Sequence, residues 1–136
     1  MTASIDRKKA KKALEHKAKR VTESDVGKVV ERKSEIDAKL SEVPSAFKRL
    51  VNQVKLLFEM VSDYWHGKYK AVPWYSISMA IAALLYFLNP FDLIPDFIPI
   101  VGYVDDATIL ALCSLAIMED LRAYCKFKRY DPAQYF

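Results

Sequence analysis

Four aspartates, Asp92, Asp96, Asp105 and Asp106, are the residues of this chain best placed to do chemistry. They are the only charges in the stretch YFLNPFDLIPDFIPIVGYVDD, Tyr86 to Asp106. Carboxylates gathered without a histidine or thiolate beside them suit a hard cation, Mg²⁺ or Ca²⁺, rather than Zn²⁺. A cation held there would support transport or metal-assisted hydrolysis. Capping explains the same four residues without a ligand, because a carboxylate at a helix start accepts from free backbone N–H groups and meets the positive end of the helix dipole. Their spacing lacks the ligand alternation of an EF-hand, and any buried carboxylate needs hydrogen bonds in either case.

The residues between the aspartates punctuate the backbone. Asn89 tolerates the left-handed conformation that ends a helix, and Pro90 cannot continue one. Pro95 and Pro99 bias Ile94 and Ile98 away from helix, and Gly102 adds a further break. Apolar runs flank this turn. Ala71 to Phe91 carries no charge over 21 residues, close to the ~20 that cross a ~30 Å hydrocarbon core. Trp74, Tyr75, Tyr86 and Phe87 mark its ends as interfacial aromatics do. A second helix is expected from about 104 to 128, with an uncharged part too short to span alone. The expected fold is all-α: an apolar antiparallel helical hairpin, at about 73–88 and 104–128, joined by the Pro/Asp turn. Lys68 and Lys70 before it, and Lys126, Lys128 and Arg129 after it, place both termini in the cytoplasm under the positive-inside tendency.

Ahead of the hairpin, residues 43–65 read as a strongly amphipathic helix opened by Pro44, with Phe47, Leu50, Val51, Val54, Leu57, Phe58, Val61, Tyr64 and Trp65 on one face, either packed on the domain or lying in a membrane interface with Tyr64 and Trp65 at headgroup depth. The first 42 residues read as a basic helical arm. They hold 12 of the 21 Lys and Arg residues, and their apolar positions are mostly alanine, too small to bury much surface. Thr22 and Asp25 signal a helix start, and Gly27 weakens the helix that follows by about 1 kcal/mol relative to alanine. The chain therefore divides into an arm (1–42), a helical domain (43–130) and a tail (131–136). Such an arm suits an acidic protein or anionic lipid; no interleaved aromatics mark it for nucleic acid.

Several classes are excluded. No nucleophile elbow, HExxH, phosphate loop or dinucleotide fingerprint occurs, and His16 and His66 stand apart from the aspartates. No catalytic residue is assigned. Cys113 and Cys125 lie 12 residues apart on one expected helix, about 18 Å at 1.5 Å per residue, so they cannot pair. The first 30 residues lack the apolar core of a secretory signal.

The run Asn89-Pro-Phe-Asp-Leu-Ile-Pro-Asp-Phe-Ile-Pro-Ile-Val-Gly-Tyr-Val-Asp-Asp106 resembles the signature of the YkvA-like family, a domain of unknown function. The resemblance covers Pro90 to Asp106 densely, and the flanks from about 47 to 118 in pattern. It implies a small helical, multi-pass membrane protein of a bacterial inner membrane or an endomembrane system. A similar domain occurs in a eukaryotic endoplasmic-reticulum ubiquitin ligase whose RING domain is absent here. The combined expectation is a non-enzymatic adaptor or scaffold that touches membrane lipid; the alternative is a divalent-cation-dependent transporter or hydrolase built on the aspartates.

Overall fold

The computed structural model describes residues 2–89 and 106–136. Seven α-helices stand among them: α1 (Thr2–Lys19), α2 (Glu23–Glu31), α3 (Lys33–Ser41), α4 (Lys48–Trp65), α5 (Trp74–Leu88), α6 (Asp106–Ala116) and α7 (Met118–Lys128). Short 3₁₀ turns occupy Ser45–Phe47 and Pro132–Gln134. The described residues are helical and turn structure, as expected. Their arrangement is a bundle around α5.

The sequence of α5 explains its central place. Every residue from Ser76 to Leu84 is buried, and so are Tyr86 and Phe87. A helix that is apolar all round must be covered all round. Here α1, α2, α3, α4 and α6 all pack on it. Burying Ile77, Met79, Ile81, Leu84 and Phe87, each 1% exposed or less, is worth about 1.5–3 kcal/mol apiece. The small residues Ala80, Ala82 and Ala83 let neighbouring backbones approach.

This arrangement overturns the membrane-spanning hairpin. The charge-free run is longer than the helix it contains: Ala71 and Val72 precede it, Pro73 is its extended N-cap, and α5 has 15 residues. At 1.5 Å per residue it reaches about 22 Å, short of a ~30 Å hydrocarbon core. Among the described residues no helix is long and apolar enough to cross a membrane. A transmembrane helix, a multi-pass topology and the membrane location deduced from them are therefore withdrawn. The all-round hydrophobicity of α5 comes from burial against protein.

The basic arm is also corrected. Helix α1 lays Ala10, Ala13, Leu14 and Ala18 on α5 and α6, and all four are buried. Alanines bury little area singly but permit close helix approach, so a stripe of them seats a helix that a hydropathy reading leaves in water. Three expected helix boundaries shift as well. The amphipathic helix begins at Lys48, with Pro44 heading the preceding 3₁₀ turn. The helix expected over 104–128 breaks at Ile117, where φ is −119° and ψ 25°, into α6 and α7. Arg32 similarly divides α2 from α3.

Thr22 caps α2 as its sequence indicates. Its Oγ1 accepts from the Asp25 N–H at 3.3 Å, while Asp25 Oδ2 accepts from the Thr22 N–H at 2.9 Å, a reciprocal capping box. Gly27 has a role that helix propensity does not convey. A Cβ at this position would lie 2.7 Å from the Trp65 ring, so the missing side chain is what lets α2 meet the end of α4.

Candidate docking surface

Most of the residues singled out for cation chemistry, Asp92, Asp96 and Asp105, lie outside the described residues, as do Pro90, Pro95, Pro99 and Gly102. Asp106 is the first residue of α6. Asn89 closes α5 in extended conformation, φ −145° and ψ 95°, not in the left-handed one, and its N–H donates to the Leu85 carbonyl at 2.8 Å. Among the described residues no group of three or more His, Cys, Asp or Glu side chains could hold a metal ion. The two cysteines are free and buried, and burial pushes the Cys113 thiol up to about 12, far from reactivity at neutral pH.

Two polar constellations appear that sequence reading missed. The first fastens α7 to α4. Tyr124 Oη donates to Asp63 Oδ2 at 2.5 Å, and Lys128 Nζ lies 3.3 Å from the same oxygen and 3.7 Å from Glu59 Oε2. Tyr130 Oη donates to Glu59 Oε2 at 2.8 Å. Both phenols are held protonated. Burial, then the Asp63 hydrogen bond and charge, raise Tyr124, while the hydrogen bond to Glu59 pushes Tyr130 up to about 12. One ammonium between two carboxylates, with a phenol on each, makes a clasp whose members are engaged with one another. The second is Lys39, whose ammonium donates to the Phe87 carbonyl and sits 4.8 Å from the Phe87 ring centroid. A cation at the C-terminal end of α5 meets free carbonyls and the negative end of the dipole. Neither is signalled locally, because their members are 48 to 71 positions apart.

What remains unabsorbed is cationic surface. Away from its buried stripe, α1 exposes Lys8, Lys11, Lys12 and Lys19, and Arg20, exposed as well, follows its last residue. Among the described residues none of these forms an ion pair with a carboxylate. The 3.6-residue period that seats Ala10, Ala13, Leu14 and Ala18 necessarily turns these charges outward in a row.

Comparison with known proteins bears on α5 first. A family described as a protein of unknown function (DUF1232) matches residues 76–112, from the buried part of α5 into α6. The uncharacterized membrane protein YkvA of Bacillus subtilis (strain 168) is 32% identical over 81 residues, 60% of this chain and 76% of that protein. The chain belongs to the YkvA-like, DUF1232 family. No solved structure matches it. The family match in this YkvA-like chain takes in most of α5, the helix that the others enclose, and α6 as far as Leu112, together with residues 90–105, which lie outside the described residues. The cationic face of α1 lies outside it.

Proposed function

We propose that this YkvA-like protein is a non-enzymatic adaptor that recruits an acidic protein through the outward face of α1. The carrying observation is the row of exposed, unpaired basic residues, Lys8, Lys11, Lys12, Lys19 and Arg20, on a helix whose other face is fixed to the core. A fixed helix presents its charges in one geometry and loses less entropy on binding than a free arm does. An acidic protein fits this face better than a lipid surface. A helix lying in a bilayer interface uses its apolar side as the anchor, and that side of α1 is already spent on α5 and α6.

Isothermal titration of the full chain against polyglutamate tests this reading, with the charge-reversed variant Lys8→Glu/Lys11→Glu/Lys12→Glu alongside. Each exposed charge pair is worth about 0.2–1 kcal/mol and is screened by salt, so three of them account for roughly a tenfold change in affinity. The reading expects that loss, and a steep fall in affinity between low and physiological salt. Unchanged binding in the variant overturns it. Because the Bacillus relative is described as a membrane protein, anionic phosphatidylglycerol vesicles form the second arm. Binding to vesicles but not to polyglutamate also overturns it.

A further inference from the structure

One end of the bundle gathers exposed aromatic rings beside lysines. Trp65 ends α4 and is 45% exposed; Trp74 and Tyr75 open α5 at 39% and 49%. Tyr64 joins them, its ring centroid 6.4 Å from that of Trp74. Lys68 and Lys70 stand exposed on the connection between the two helices, and among the described residues neither pairs with a carboxylate. Glu15 of α1 lies near Tyr75: burial, and then the Glu15 charge, raise the Tyr75 hydroxyl.

Two of these rings, Trp65 and Tyr64, are held in place before anything binds, and Trp74 packs beside Tyr64. Trp65 rests on Gly27. Tyr64 Oη donates to Glu23 Oε1 at 2.7 Å. Gly67, at φ 77°, turns the chain so that the Lys68 and Tyr69 N–H groups both donate to the Asp63 carbonyl, at 2.8 and 3.2 Å. Tryptophan and tyrosine fixed in this way give large contact area at small entropic cost, as binding hot spots do. Of the nearby acids, Glu23 is engaged by Tyr64, Asp25 by the α2 cap and Asp120 by the Ser76 hydroxyl, and Glu15 lies near Tyr75, whereas Lys68 and Lys70 have no carboxylate partner among the described residues.

We infer that this end is the docking site for an acidic peptide segment whose carboxylates alternate with apolar side chains. The carboxylates meet Lys68 and Lys70, and the apolar groups seat on Trp74 and Tyr75. The inference rests on the adaptor reading and names the partner's chemistry. Single-stranded nucleic acid fits less well: bases stack on open ring faces, but Trp65 is backed by α2, and Tyr64 and Trp74 are inclined at 48° rather than forming a parallel platform.

The chain contains two tryptophans, and both are here, so intrinsic fluorescence reports this site alone. The full chain is titrated with a synthetic peptide of Glu alternating with Leu and Phe, and with polyglutamate of equal charge. The alternating peptide is expected to shift the emission and to bind at least tenfold tighter. Trp74→Ser/Tyr75→Ser should remove that tenfold advantage and leave polyglutamate affinity as it was. Should the pair misfold by circular dichroism, Lys68→Glu/Lys70→Glu on the exposed connection should weaken the alternating peptide by a similar factor. Equal affinity for the two peptides, or no effect of the variants, overturns the inference. An emission shift given by phosphatidylglycerol vesicles or oligothymidylate but not by the alternating peptide also overturns it. If charge reversal on α1 abolishes polyglutamate binding while the Trp74 and Tyr75 variants change nothing, the adaptor reading stands and this inference falls.

Discussion

Gly27 shows how a residue can oppose one physical preference to satisfy another. In an exposed helix, replacing glycine by alanine stabilises by about 1 kcal/mol. At this site the added Cβ meets the Trp65 ring at 2.7 Å, and overpacking of this kind costs about 1–3 kcal/mol. Gly27→Ala is therefore expected to lower the melting temperature, and Gly27→Ala in a Trp65→Leu background to raise it relative to Trp65→Leu alone. Thermal melts of the four proteins check the sign reversal. The clasp makes a separate prediction, for alkaline pH. Tyr124 and Tyr130 carry raised folded-state values, Tyr130 about 12 against 10.0 unperturbed. Below pH 10 both phenols are protonated folded and unfolded, so the stabilisation is complete. Above it the unfolded chain releases protons that the folded chain retains, and stability falls as pH rises toward 12. Tyr130→Phe should flatten that fall between pH 10 and 12 in pH-dependent melting, with little effect on the slope below pH 9.

At the scale of elements, the informative case is α1. Its leucine and alanines carry the burial, and Leu14 is fully enclosed. Leu14→Ala is expected to cost about 2–5 kcal/mol, as large-to-small core changes do, whereas the same change on a solvated arm stays within about 0.5 kcal/mol. Denaturant unfolding distinguishes the two outcomes. The start of α2 was legible because Thr22 and Asp25 are three positions apart and their chemistry is local. The seating of α1 was not, since alanine contributes little to an apolar signal and what makes it useful, close approach, depends on a helix distant in the sequence. The clasp and the Lys39 cap were illegible for the same reason: ordinary lysine, tyrosine and acid residues become partners only when the bundle closes. Of the candidate site, the row of bases on α1 was legible from charge alone. Of the aromatic end, the single residues were legible as aromatics beside lysines but their meeting was not, for the rings come from two helices and the lysines from the connection between them.

For the whole molecule, one property of the sequence admitted two architectures. A charge-free run flanked by aromatics and lysines satisfies the demands of a bilayer, and equally those of a helix enclosed by five others. Length separates them: α5 has 15 residues with Pro73 outside it, close to the 73–88 expected from the sequence, whereas the membrane reading rested on the longer charge-free run. Enclosure also assigns the cationic surface, because fixing α1 on α5 turns its lysines outward as a rigid row. The central claim is that α1 and α5 belong to one packed core. Amide hydrogen exchange on the full chain tests it most directly, since protection in a cooperative unit follows the free energy of opening that unit. The account predicts that the amides of Leu14 to Ala18 are protected to nearly the level of those of Met79 to Ala83, and that Leu14→Ala lowers both sets together. Exchange of Leu14 to Ala18 at the rate of an unstructured peptide, with α5 still protected, would contradict it.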